Sequence, residues 1–295
     1  MNEPVTTGAL AEFEQARPRL FGIAYRMLGS ASEAEDIVQD AWLRWQGVTD
    51  AVENPTAYLA TITTRLSLTA LDSARARRET YVGPWLPEPV DTSADPLLGA
   101  ERAEALSLAV LLLLERLSPA ERATYVLREA FAYSFRDIAA VLEISEENAR
   151  QLASRARAHL SRQRERTITG AERSRLLEAF VAAAATGDLA DLEALLATDA
   201  VTLSDGGGIV NAARKPVFGR SRVAQFLLGV LAKFAYDLVP IPVSANGALA
   251  FVGLRNGVPA AFWTMDTSAE GISQVLIVLN PTKLSRFEGL SSPSS

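Results

Sequence analysis

The sequence predicts a multidomain chain: two all-α domains, the second a helix-turn-helix, followed by an α+β domain shaped as a cone around a pocket. Three observations carry that prediction. Apolar residues recur at helical spacing from about residue 10 to residue 160. A proline-rich stretch interrupts them once, at 81–96. From about residue 200, short alternating runs replace the helical period, with one more amphipathic helix set among them.

Bulk properties exclude several classes. A chain of 295 residues has room for two or three domains, and 48% hydrophobic with 22% charged residues is ordinary for a folded protein. There is no cysteine, hence no disulfide, thiolate metal site or cysteine nucleophile. The one histidine, His159, excludes the usual histidine metal clusters. Neither a metal nor a cofactor is expected. The start, MNEPVTTGAL, lacks a signal peptide's cationic and apolar segments. The longest apolar run, 106–114, is too short to cross a bilayer. A cytoplasmic protein without a membrane partner is the expectation. The net charge of -6 excludes a DNA-coating protein, yet residues 148–166 hold six arginines and one glutamate.

The first domain is expected over 1–80. Phe13, Leu20, Ile23, Ala24 and Met27 give a helix over 10–28 that stops at Gly29-Ser30. Ser32 and Glu35 read as a capping box for a helix over 33–45. This helix buries Ile37, Val38, Ala41 and Trp42 and displays Glu35, Asp36, Gln39 and Asp40. Such an acidic face, taken alone, is also what a plain solvated surface looks like. A third helix opens at Asn54-Pro55, carries Tyr58, Leu59, Ile62, Leu66 and Leu71, and ends in a basic cluster of Arg65, Arg75, Arg77 and Arg78. A linker is expected over 81–100, where Gly83, Pro84, Pro87, Pro89 and Pro96 forbid a helix. It holds Trp85 and Leu86, costly to leave in water, so Trp85-Leu86-Pro87-Glu88-Pro89 is expected to dock.

The second domain is expected over 101–168, with a buried helix at 106–114. Ser134 caps a helix whose apolar face is Ile138, Ala139 and Leu142. Glu143-Ile144-Ser145 is the turn, and Ser145 caps the next helix, with Glu146 and Glu147 favoured in its first turn. Ala149, Leu152, Ala153, Ala156 and Leu160 fall on one stripe. Glu147, Asn148, Gln151, Ser154 and Ala158 lie away from it, flanked by Arg150 and Arg155. Arginine and glutamine suit base edges in a major groove, while Arg157, Arg162, Arg164 and Arg166 suit phosphates. A basic helix in an ordinary bundle fits the same pattern.

The third domain is expected over 169–295: helices at 171–185 and 189–196, then strands at 200–203, 209–212, 238–243, 248–254, 260–265 and 272–279, with a helix at 221–234 among them. Its possible acids and hydrogen-bond donors are Asp205, Tyr236, Asp237 and Asp266.

AEDIVQDAWLRW, then PTAYLATITTRL, then a basic helix end, then the helix-turn-helix, together resemble the extracytoplasmic-function group of bacterial sigma factors. WLPEP in the linker, Asp205-Gly206-Gly207-Gly208, and Asn280-Pro281-Thr282-Lys283-Leu284 resemble motifs of the subgroup with a fused C-terminal SnoaL-like domain. Thr282 stands where that subgroup has an acidic residue. The resemblance implies a factor that binds core RNA polymerase and directs promoter-specific initiation. Glu35, Asp36, Gln39 and Asp40 would face the clamp helices of the largest polymerase subunit, and the helix-turn-helix domain would sit at the flap. Arg65, Arg75, Arg77 and Arg78 would meet the melted element near −10, Arg65 standing where many relatives have asparagine. The second domain would read the element near −35.

The resemblance also implies that the C-terminal domain regulates in cis through Trp85 to Pro89, Asp205 to Gly208, Asn280, Pro281, Lys283 and Leu284. An unknown small ligand in the cone is a further possible partner. Two other readings stay open on the residues alone: a stand-alone helix-turn-helix regulator, and an isomerase or cyclase with Asp205 as its base.

Overall fold

In the computed structural model, residues 7–48, 52–92, 106–161, 170–234 and 236–290 are described. The chain divides into two compact units. One comprises Met1–Glu79, Asp95–Leu106 and Val110–Ser161; the other comprises Thr80–Ala94, Ser107–Ala109 and Arg162–Ser295.

The first unit is helical. Helix α1 (Thr7–Leu28) ends where Gly29 takes a φ of 68° and returns its N–H to Tyr25 O. Helix α2 (Ala31–Gln46) is capped by Ser30, whose Oγ accepts from Glu33 N–H. The expected capping box at Ser32 and Glu35 is therefore corrected. The chain is already helical at Ala31; the Ser32 hydroxyl lies beside that of Ser30, and Glu35 pairs with Arg17. Trp45, rather than Trp42, is the buried indole, its N–H donating to Ala9 O; Trp42 is half-buried against Phe13. Helix α3 (Pro55–Glu79) starts on an Asn54 cap. Leu59 is fully buried, but Tyr58 is exposed and tilts against Trp45, because it lies one residue off the buried face.

Helices α4 (Leu108–Leu114) and α5 (Pro119–Tyr125) follow, and α5 runs into a π-turn at Val126–Ala130. Ser118 and Glu121 form a capping box at the head of α5. Helix α6 (Phe135–Leu142) has a second box, from Ser134 and Asp137. Its buried face is Ile138, Ala139 and Val141, so Leu142 is corrected to a half-buried flank. Glu143 makes the turn with a φ of 57°, and Ser145 Oγ accepts from Asn148 N–H as helix α7 (Glu146–Ser161) begins. Ala149, Leu152, Ala153, Ala156 and Leu160 are all buried.

The second unit holds helices α8 (Gly170–Thr186) and α9 (Leu189–Leu195), strands β1 (Leu196–Asp205) and β2 (Val217–Phe218), helix α10 (Arg220–Phe234), and strands β3 (Val239–Ala245), β4 (Ala248–Arg255), β5 (Val258–Ser268) and β6 (Gly271–Val278). The sheet order is β2-β1-β6-β5-β4-β3. Asn246-Gly247 and Asn256-Gly257, all at positive φ, close the β3–β4 and β4–β5 hairpins, as two-residue turns between right-twisted strands require. Two expectations are corrected. The strands are not one meander, because β1 runs parallel to β6. Residues 209–212 are not a strand: Gly206 O accepts from the N–H groups of Ile209 and Val210 and curls that segment into a turn. Short β2 had no alternating run long enough to reveal it. Helices α8 to α10 pack Leu177, Phe180, Leu192, Val223 and Leu227 on Phe251, Met265 and Val275 of the sheet.

Candidate functional site

Helix α7 presents its outer face to solvent. Glu147, Asn148, Gln151, Ser154, Arg155 and Ala158 are exposed. Arg150 is exposed too, pairs with Glu146 one turn earlier and lies over the Phe135 ring. Arg157 is held by Glu129, its Nη2 at 2.6 Å. His159 is half-exposed, 3.9 Å from Glu121. A helix with short polar groups and arginines outward, and alanines and leucines inward, has the side-chain chemistry to enter a major groove. Arg162, Arg164 and Arg166 lie outside the described residues.

The α3 arginines do not form one surface. Arg75 and Arg77 are exposed, Arg77 pairing with Glu33. Arg65 lies well before the helix end: its Nε donates to Val141 O at 3.0 Å and its Nη2 lies 2.9 Å from Glu143. Arg78 is turned inward. It pairs with Glu115 and donates to Leu28 O, while Arg122 reaches the other Glu115 oxygen at 2.8 Å and Met27 O at 2.7 Å. Two guanidiniums therefore share one carboxylate and cover the carbonyl end of α1, where the helix dipole is negative. Burial, and for Arg78 the neighbouring Arg122 charge, lowers both guanidiniums to about 10. This clasp holds α1 and α3 against α5. On the far side of α1, Arg26 is buried and stacks on Phe131 at 5.1 Å.

On α2, Asp36, Gln39 and Asp40 are exposed and Glu35 is half-buried through its bond to Arg17. The expected acidic face is thus a contiguous solvent surface at helical spacing.

In the second unit the linker segment is bound. Leu86 is fully buried, and Pro87, Glu88, Pro89 and Val90 are buried beside it. The Asp205 carboxylate, itself fully buried, collects donors: Tyr81 O–H at 2.6 Å, Leu86 N–H at 2.9 Å, Lys283 Nζ at 2.7 Å and Gly207 N–H at 3.0 Å. Lys283 Nζ also donates to Leu86 O and lies 4.4 Å from the centre of the Trp85 ring. Asn280 Nδ2 donates to Tyr81 Oη at 2.9 Å, and Asn280 Oδ1 accepts from Thr282. Burial, then the bond to Asp205, pushes the Tyr81 phenol up. A Cβ on Gly207 would meet Asn280 at 2.4 Å and one on Gly208 would meet Val82 at 3.1 Å, so the glycines are the price of close approach. Pro281 opens the 3₁₀ turn that aims Lys283, and Leu284 is buried under it.

Four participants escaped the sequence reading. Tyr81 opens the expected linker, but only Trp85 to Pro89 within it were expected to dock. Val90 N–H donates to Asn246 Oδ1 and Asn246 N–H donates to Val90 O, each at 3.0 Å, although Asn-Gly by itself signals only a hairpin. Glu115 and Arg122 stand among other charged and polar residues in 115–122, and nothing in that pattern marks them as facing inward. Of the other acids considered, Asp237 is bound by Arg255 at 2.8 Å and exposed, and Tyr236 is exposed. Among the described residues no group of acids and histidines could hold a metal ion, and no helix is long and apolar enough to cross a membrane.

Comparison with known proteins adds the following. Residues 13–77 match the family model of sigma-70 region 2, and residues 107–160 match that of sigma-70 region 4. The chain is 41% identical over 235 residues to the ECF RNA polymerase sigma factor SigJ of Mycobacterium tuberculosis, covering 78% of this chain and 75% of SigJ. It is 31% identical over 281 residues to the probable ECF RNA polymerase sigma factor SigI of the same species, covering 93% and 94%. The crystal structure of M. tuberculosis SigJ superposes with a TM-score of 0.77 at 32% identity, over 94% of this chain and 98% of the other.

Proposed function

This chain belongs to the extracytoplasmic-function RNA polymerase sigma factors, and from that premise we propose how its surfaces divide the work of promoter-specific initiation and how its C-terminal SnoaL-like domain modulates it. Asp36, Gln39 and Asp40, with Glu35 behind them, are the polymerase-binding face, complementary to basic clamp helices. Asn148, Arg150, Gln151, Ser154 and Arg155 read the upstream element, with Arg157 on the backbone. Arg65, Arg75 and Arg77 serve the melted downstream element, and Arg78 joins them only when its bond to Glu115 opens. The flap is the partner of the helix-turn-helix domain, and the cytoplasm is where the protein works.

One observation carries the regulatory part: the segment joining region 2 to region 4 is bound, at residues 81–92, by the C-terminal domain itself. A tether fixed along that stretch no longer lets the two DNA-reading parts sample all separations. In the first unit, Arg65 and Arg78 of α3 are occupied by residues of the second DNA-reading part. We read this packed form as the resting state, exchanged for polymerase and DNA contacts on initiation. A non-catalytic role for the C-terminal domain is supported by Asp205, whose oxygens are already spent on structural donors.

The test is transcription in vitro with core polymerase and the full chain. Asp36→Arg with Asp40→Arg is expected to abolish polymerase capture while leaving the circular dichroism spectrum unchanged. Normal capture by that double variant would refute the clamp assignment.

A further inference from the structure

Between Asp205 and Asp237 the chain carries five basic residues and no acid, although acids outnumber bases over its whole length. Four of the five, Arg214, Lys215, Arg220 and Arg222, flank the short strand β2. Arg214, Lys215 and Arg222 are exposed, and none of the four forms an ion pair with a described residue. Arg220 reaches the Thr198 hydroxyl at 3.3 Å. Arg222 stands in the first turn of α10, where the positive end of the dipole disfavours a cation, so helix stability does not account for it.

Strand β2 is one edge of the sheet, and Phe218 on it is 62% exposed. The neighbouring pair, Val217 with Thr202, lies on the inner face, where Val217 packs on the core. Phe218 is paired with Val201, and the alternation of a strand turns both to the outer face. Leu203 and Asp205 continue that face, the one on which Asp205 holds Leu86. The basic strip starts beside the same bound segment, since a Cβ on Gly83 would lie 3.7 Å from Arg214 Cα. Protection of the edge explains Lys215 and Pro216, which deter pairing with another chain. It does not explain an exposed ring, which adds apolar surface to that edge, or the three arginines around it.

We propose that residues 214–222 bind single-stranded DNA, with a base stacked on Phe218 and the adjoining phosphates on Arg214, Lys215 and Arg222. An outward ring set in a basic strip is the chemistry of sequence-tolerant single-strand binding. Duplex DNA offers phosphates but no free base face, so the ring selects an unpaired strand, which promoter opening supplies. This contact belongs to the C-terminal domain and is separate from those of the two helical domains. It requires neither polymerase nor any change in residues 81–92.

The experiment follows the anisotropy of a short fluorescein-labelled oligothymidylate titrated with the full chain. Phe218→Ala and Phe218→Leu are each expected to weaken binding about tenfold, within the range for one stacked base, and to leave its salt dependence unchanged. Phe218→Trp is expected to retain the binding. Lys215→Ala with Arg222→Ala is expected to flatten the slope of log affinity against log salt by about 1.4, as for two lost phosphate contacts on a single strand. A duplex of the same length should bind the native chain and Phe218→Ala alike. An oligomer carrying 5-iododeoxyuridine should photocrosslink to the peptide that contains Phe218. The substituted side chains are exposed, so melting should not change. Binding through α3 or α7 survives in every variant and cannot imitate these losses. Unaltered oligothymidylate binding in Phe218→Ala, Phe218→Leu and the double variant overturns the site. Equal losses for duplex and single strand in Phe218→Ala overturn the stacking, and tighter binding of oligouridylate RNA overturns DNA as the partner. Should Phe218→Ala unfold, Phe218→Leu and the crosslink decide.

Discussion

Two buried charge clusters in this protein do opposite jobs with the same chemistry. In the first unit, Arg78 and Arg122 share Glu115, leaving a surplus positive charge that leans on the Met27 and Leu28 carbonyls. In the second, Lys283 and Asp205 form a neutral pair, closed by the Tyr81 hydroxyl, two backbone N–H groups and the Trp85 face. Burial depresses the two guanidiniums to about 10, a sign that the surrounding groups do not fully compensate their charge. A cluster with surplus charge is poised to open toward a polyanion or an acidic partner. A neutral, saturated one is built to stay shut.

The largest effect should come from breaking the neutral cluster. Asp205→Ala strands the Lys283 ammonium in a buried site, and should cost the second unit about 3–5 kcal/mol. Urea unfolding measures that loss, and rapid proteolysis within 81–92 should accompany it. Asp205→Leu with Lys283→Met removes both charges and should recover most of the stability without restoring resistance to protease. If the single variant were as stable as the native chain, the contrast between the clusters would disappear.

Next comes the clasp. Glu115→Gln leaves two arginines facing each other, and should cost the first unit about 2–3 kcal/mol, less than Asp205→Ala because the α1 carbonyls remain. Trypsin cleavage after Arg78 should accelerate in this variant and not in Asp205→Ala. Equal acceleration in both would mean that the clusters are not separate devices.

Smaller again is the outer face of α7. Arg155→Ala should lose about 1–3 kcal/mol of discrimination at the upstream element if the guanidinium reads a base with two bonds. Footprinting on native and mutated elements measures this. Arg78→Ala should leave that discrimination intact while lowering the melting temperature, as its side chain faces Glu115.

What could be read from the sequence follows the same division. The inward stripe of α7 and its cap were legible because each depends on residues within a few positions: Ser145 accepts from an N–H three residues on. The docking of Leu86 was legible for a thermodynamic reason, since a tryptophan-leucine pair in a proline-rich tether has nowhere else to go. Its partners were legible only through resemblance of motifs, because Asp205 lies 119 positions away. The clasp was not legible at all. An arginine at the end of a helix looks the same whether it meets DNA or Glu115, and only packing decides. The turn at 209–212 was misread because apolar residues next to glycines imitate a strand, while the hydrogen bonds to Gly206 O that curl it leave no period.

The finest test of the comparison is a titration at Tyr81. Burial and the Asp205 carboxylate raise this phenol above its usual 10.0. In the folded state it therefore keeps its proton at a pH where the unfolded chain has released one. Below the ordinary tyrosine range the stabilising bond is fully present, and as pH climbs past it the unfolded state binds fewer protons, so stability falls. The chain has 6 tyrosines, and ultraviolet difference spectra should show one phenolate appearing late, at the pH where the second unit opens. Tyr81→Phe should abolish that late step and cost about 1 kcal/mol at neutral pH, the ordinary worth of one hydrogen bond. No such linkage should touch the clasp, which contains no phenol. If the late step persists in Tyr81→Phe, another tyrosine carries it, and the closed neutral cluster loses the group proposed to seal it.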